Sequence, residues 1–160
     1  MRFPTIAART LQGDERTMPA DLPGERNLVL VAFKQSHQGR VDEWIARADA
    51  QGFAADLSQP ADAPPATSVI EVPCIGRQWG VARRFIDGGM ATSIRKPEIL
   101  ARTWTAYTDV GAVQRALDIP DSSSVWAFVV RAGGAVEAAI SGDPSDPQTW
   151  DPIAQALRDS

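Results

Sequence analysis

A chain of 160 residues is long enough for one compact domain with a real core and too short for two ordinary ones. Its formal charge of −4 argues against a generic polyanion binder, which needs a dense supply of Lys and Arg, so no nucleic-acid partner is expected. Although 44% of the residues are hydrophobic, no apolar run approaches the roughly 20 residues that span a bilayer, and no transmembrane segment is expected.

Met1-Arg2-Phe3-Pro4 has no apolar stretch behind its charge, so no secretory signal is expected. The only cysteine, Cys74, forbids an internal disulfide, which suits a reducing compartment and sets the cytoplasm as the expected location. One domain over 1–160 is expected, with an arm or hairpin over 1–26 ahead of a core over 27–158.

Residues 3–19 read as the irregular arm or hairpin, with Gln12-Gly13-Asp14-Glu15 as its turn, and Leu22-Pro23-Gly24-Glu25 as a second turn. Residues 27–33, Asn-Leu-Val-Leu-Val-Ala-Phe, are apolar almost throughout, as in a strand covered on both faces. A polar stretch over 34–40 leads into a helix whose Val41, Trp44, Ile45 and Ala48 follow the spacing of one apolar face. Residues 56–66, rich in Pro, Asp and Ala, predict a surface loop. The next strand covers 67–72 and is closed by Pro73. A helix follows from about Arg77, with Trp79, Ala82 and Ile86 on one stripe and Gly88-Gly89 as its stop.

Residues 103–107 predict a short strand, and Asp109 can cap a helix carrying Val110, Val113 and Leu117. A second apolar strand over 125–130, a tight turn at Ala132-Gly133-Gly134 and an alternating strand over 135–140 make a hairpin. Trp150, Ile153, Ala154 and Leu157 form a last helical stripe. Alternating strands and helices imply parallel pairing, and the terminal hairpin adds an antiparallel edge. The tryptophans at 44, 79 and 150 read as packing residues on helical stripes.

This order resembles the thioredoxin-like superfamily, and within it the peroxiredoxin and thiol-reductase branch. The resemblance rests on the apolar strand before a loop, on Thr105-Ala106-Tyr107-Thr108-Asp109, and on the hairpin with Gly133-Gly134 and Gly142. Further details resemble the mitochondrial ATP synthase assembly factor family: residues 33–44, Val69-Ile70-Glu71-Val72-Pro73, Trp79, Gly89-Met90 and the hairpin. The implied fold is a thioredoxin-like three-layer α/β/α sandwich with a central mixed sheet and a C-terminal β-hairpin plus helix. Redox-active members carry a nucleophilic cysteine in the loop or first helical turn after the apolar strand, activated by the helix dipole. Here residues 34–41 contain none, leaving Ser36, His37 and Gln38 as a vestigial active-site loop. The place of the fold's cis-proline is held by Ser122-Ser123-Ser124, with Pro120 too early.

His37, the only histidine, reads first as a solvated loop residue and second as a polar or acid–base group at the old active-site edge. A Ser36–His37 nucleophilic pair lacks an orienting acid. Cys74, at a strand end, reads as buried and inert, with a reactive thiol as the competing reading. One His and one Cys do not make a zinc site, and Asp143, Asp146 and Asp151 read as turn chemistry before calcium ligands, so no metal is expected. No phosphate-binding loop or dinucleotide fingerprint is present, and no cofactor is expected. Charge is uneven: six basic residues stand against two acids over 76–102, and five acids against one Arg over 137–160. A basic segment in an acidic protein reads either as a solvated helix face or as a dock for an acidic partner, with Arg77, Arg83, Arg84, Arg95 and Lys96 as the candidates. The functional expectation is a non-redox binding or assembly module for a protein partner. Its alternative is a divergent thiol oxidoreductase or peroxidase-like enzyme using Cys74.

Overall fold

The computed structural model describes residues 1–59, 62–76 and 96–158. The N-terminal segment forms a hairpin of β1 (Ile6–Thr10) and β2 (Glu15–Met18), in which Asp14 N–H reaches the Thr10 hydroxyl at 3.1 Å. Seven strands make one mixed sheet in the order β2-β1-β5-β4-β3-β6-β7. The later strands are β3 (Arg26–Ala32), β4 (Thr67–Ile75), β5 (Trp104–Tyr107), β6 (Trp126–Arg131) and β7 (Val136–Ser141). Strands β3, β4 and β5 run parallel, and β6 and β7 close one side as the antiparallel hairpin expected from the glycine turn. Because β1 pairs with β5, the N-terminal hairpin extends the sheet and is not a detached arm.

The continuous apolar run of β3 needs cover on both faces and receives it. Val29 and Val31 pack into one core with Phe3, Met18, Ile70, Val72 and Phe128; Leu28 and Leu30 pack into the other with Trp44, Val69, Val129 and Trp150. The second core lies under α1 (Gln38–Ala50) and α4 (Pro147–Arg158), whose stripes Val41, Trp44, Ile45, Ala48 and Trp150, Ile153, Ala154, Leu157 are buried as their spacing predicts. The first core receives Val113 of α3 (Val110–Ala116), a helix capped by Asp109 through Ala112 N–H at 3.1 Å. This is the expected three-layer arrangement.

Three local expectations change. Pro73 does not close its strand: β4 continues through Cys74 to Ile75, where it pairs with β5. Proline is tolerated because it faces Ala32, the last residue of β3 in the parallel ladder. A short helix, α2 (Pro97–Arg102), follows with Pro at its start, where a missing N–H costs nothing. The helix expected from Arg77, with Trp79 and the Gly88-Gly89 stop, lies outside the described residues.

Asn27 fixes the entry to β3. Its side chain, fully buried, accepts from Gly24 N–H at 2.8 Å and the Ser68 hydroxyl at 2.6 Å, and donates to Gly24 C=O at 3.0 Å and Val130 C=O at 3.1 Å. Gly24 must be glycine here, since a Cβ would meet Arg26 C=O at 2.8 Å and Asn27 Oδ1 at 3.0 Å.

Candidate functional site

Leaving β3, the chain turns through Phe33 and Lys34 into a single 3-10 turn, Gln35–His37, which runs directly into α1. The turn is closed by His37 N–H to Lys34 C=O at 3.0 Å and by Phe33 N–H donating to His37 Nδ1 at 3.1 Å. The histidine is therefore not the solvated loop residue expected: only 8% of it is exposed, because its ring folds back to satisfy the backbone of its own loop. Nδ1 accepts, so the ring proton sits on Nε2, which has no hydrogen-bond partner among the described residues.

His37 lines a cleft of about 410 Å³ whose walls are Ser36, Gly39, Arg40 and Glu43 on one side and Ser123, Ser124, Val125, Ser141 and Gly142 on the other. The far wall is rigidly set. Asp121 accepts from Ser123 N–H at 2.8 Å and from the Ser123 hydroxyl, and the Ser141 hydroxyl donates to Val125 C=O at 3.0 Å. At the rim, Arg40 Nη1 lies 3.2 Å from both Glu43 Oε2 and Asp143 Oδ1. The Ser123 hydroxyl holds the Asp121 carboxyl below the usual range, and Ser145 N–H does the same for Asp143. The first turn of α1 carries no side-chain cap, and a Cβ on Gly39 would meet nothing within 4 Å.

Beneath this turn, Gln38 Nε2 donates to Asp42 Oδ1 at 2.9 Å and to Glu71 Oε1 at 3.2 Å. Glu71 projects from β4 and is 5% exposed; burial pushes its carboxyl above the ordinary range, against hydrogen bonds from Gln38 and Thr103. A residue of the loop after β3 is thus tied to a buried acid of the central sheet.

No family model and no curated protein matches the chain. Solved structures do match, over nearly the whole length. One is the pneumococcal exposed lipoprotein thioredoxin Etrx1 from Streptococcus pneumoniae, at 9% identity and TM-score 0.59, covering 97% of this chain and 98% of that one. A thioredoxin-like superfamily protein matches at 17% identity and TM-score 0.57, covering 100% and 98%. BsSco, of the Sco family of cytochrome c oxidase assembly proteins, matches at 9% identity and TM-score 0.56, covering 99% and 95%. This chain has a thioredoxin-like fold.

Within that fold the redox cysteine is expected in the loop after β3, where Ser36, His37 and Gln38 now stand beside the cleft. The wall opposite, expected to carry the cis-proline, is the serine run; among the described residues the one cis peptide is Met18–Pro19. Among the described residues Cys74 stands within a strand and not at a helix start. It sits inside β4, 4% exposed, packed in the first core with Ala106 and Val113, and burial pushes its thiol up to about 12. The thiol is buried, as the first of its two readings expected, although the residue lies within the strand and not at its end.

Of the basic candidates, Lys96 is exposed at the start of α2, while Arg77, Arg83, Arg84 and Arg95 lie outside the described residues. Among the described residues no group of three or more His, Cys, Asp or Glu could hold a metal. Asp143 and Asp146 do turn work, accepting from Ser145 N–H and Gln148 N–H, each at 2.9 Å. No described helix is long and apolar enough to cross a membrane. Sequence reasoning missed Arg40 and Glu71. A charge inside the apolar run Val69-Ile70-Glu71-Val72 was the available signal for the second; Arg40 carried no signal beyond helical position.

Proposed function

We propose that the protein is a non-redox thioredoxin-like module that binds or assembles a protein partner in the cytoplasm, without nucleic acid. The observation that supports this most is the state of Cys74. A thiolate is the working species in thiol chemistry, and a buried thiol pushed up to about 12 supplies almost none near neutral pH. A dithiol reductase also needs a second thiol to resolve the mixed disulfide, and the chain has one cysteine. With the chemistry withdrawn, a scaffold with a polar, donor-lined cleft at the old active-site edge remains. BsSco, in which a disulfide switch has been identified, belongs to the Sco family of cytochrome c oxidase assembly proteins, which gives the fold a precedent for assembly work. The likeness to the ATP synthase assembly factors stands beside it as a proposal of the same class.

The test measures turnover of hydrogen peroxide and of insulin disulfides with a thiol reductant, comparing wild type with Cys74→Ser. Equal, background-level rates are expected. Turnover that disappears in the variant would instead establish the thiol enzyme.

A further inference from the structure

The sheet ends in two edge strands, β2 and β7, and the chain treats them differently. An edge strand turns the N–H and C=O of alternate residues outward, where a strand coming alongside can pair with them. Most edges are blocked by charge, by shortness or by their own chain. The β2 edge is blocked in all three ways. It has four residues, Glu15 and Arg16 among them, and Asp21 folds back over Thr17. Thr17 N–H donates to Asp21 Oδ2 at 2.7 Å, and Thr17 C=O accepts from Asp21 N–H at 2.8 Å.

The β7 edge is blocked only at its start. There Val136 N–H donates to Met1 C=O at 2.9 Å, Phe3 N–H donates to Gly134 C=O at 2.8 Å, and Arg2 bridges Ala135. Among the described residues, no backbone hydrogen bond from outside the sheet reaches residues 138–141. This stretch is regular, since the break in the β6–β7 register lies between Val129 and Val130, beside the covered start. It carries neither proline nor lysine. The strand's single charge, Glu137, is spent within the sheet, on Arg26 at 3.3 Å and Arg131 at 3.2 Å.

We propose that β7 pairs with β7 of a second copy of this chain, antiparallel about a two-fold axis at Ala139, so that two seven-stranded sheets become one. The register follows from what is already taken. Residues 1–3 occupy the edge as far as Val136, and β7 ends at Ser141, so the free stretch is 137–141 with Ala139 at its midpoint. Pairing centred there sets Ala138 opposite Ile140 of the second copy and Glu137 opposite its Ser141. No like charges meet, and Ala138 and Ile140, half-buried over the core under α1 and α4, gain an apolar cross-strand neighbour. Ala139 is exposed, with a methyl small enough to face its own copy across the axis. A two-fold contact uses the same patch on both copies, and with the β2 edge blocked, assembly closes at two. So short a pairing makes a small interface, and the dimer forms reversibly with concentration. It involves neither Cys74 nor the cleft beside His37, so it stands or falls apart from the non-redox reading.

The experiment follows the full chain by sedimentation velocity at concentrations up to about 1 mM, together with amide hydrogen exchange at residues 137–141. A monomer–dimer equilibrium is expected, with exchange at these amides slowing as the dimer fills. Ala139→Lys sets two like charges against each other at the axis and should weaken the dimer about tenfold or more, as should Ala139→Glu. An equimolar mixture of the two variants should restore it, because opposite charges then face each other. The position is exposed, so the Tm of each variant should match wild type. Gln12→Lys, in the turn of the N-terminal hairpin, should leave the dimer unchanged. A monomer at every concentration overturns the inference and leaves the edge to a strand of another protein. Protection of residues 137–141 that does not depend on concentration overturns it in favour of a segment of the same chain. A dimer that survives both charged variants, or a mixture of them that stays monomeric, overturns it as well.

Discussion

Replacing Trp44 by alanine tests whether the α1 face of the sheet holds the molecule together. The indole is fully buried, 6.0 Å from the Trp150 ring at 49°, and belongs to the core under α1 and α4. An aromatic side chain of this size buries about 200 Å² or more, worth roughly 5 kcal/mol at about 25 cal/mol per Å². Residual burial in the unfolded chain lowers that by roughly 10–40%. A further offset comes from Nε1, which is buried without a partner and is already a cost to the native state. The balance is a loss of about 3–5 kcal/mol, in the range of other large-to-small core changes, or roughly 10–15 °C in Tm. Trp44→Phe keeps most of the ring and removes the orphaned N–H, so its loss should stay below about 2 kcal/mol. Urea unfolding followed by far-UV circular dichroism reads both variants at unchanged m-value. A loss under about 1 kcal/mol for the alanine variant would refute the packing argument.

Cys74 should resist labelling by a disulfide reagent in the folded protein and react at once after denaturation; fast native labelling would contradict its burial. Asn27→Ala strands the groups at Gly24, Ser68 and Val130 that the amide now satisfies, and should cost about 2–4 kcal/mol by thermal unfolding. For Glu71 the folded carboxyl lies above its unfolded value of about 4.3, so its contribution to stability is complete below that pH and fades as pH rises through the folded value. Asp121 and Asp143, with lowered values, act the opposite way at more acid pH. The stability difference between wild type and Glu71→Gln should therefore shift against wild type as pH climbs from about 4 towards neutrality, and a flat difference would show that the buried carboxyl is not perturbed.

The fold was legible where one signal sufficed. Two apolar runs of strand length can be stable only in the middle of a covered sheet, and both β3 and β6 lie there. Helical stripes placed Trp44 and Trp150 correctly, since periodicity alone decides which face is buried. Pro73 misled because proline is a strand breaker only where its N–H is required, and a ladder partner's end removes that need. The candidate site was legible as an absence, the missing cysteine, and opaque as a presence. The burial of His37 depends on a backbone N–H four residues upstream, and Arg40 meets Asp143 only because the end of β7 returns to the start of α1.

The loop after β3 is tied down more firmly than a redox loop of this fold would be. A redox loop must let its cysteine meet a second sulfur, which favours an exposed and adaptable turn. Here the turn is held from three sides: His37 by Phe33 N–H, Gln38 by Glu71 of the sheet, and Arg40 by the carboxylates of Glu43 and Asp143. The bonds at Glu71 and His37 are largely shielded from solvent, so they are stronger individually than the exposed pair at Arg40, which salt screens. A rim held this way keeps its polar groups in place, so on the proposed binding reading the cost of ordering it on association would be small.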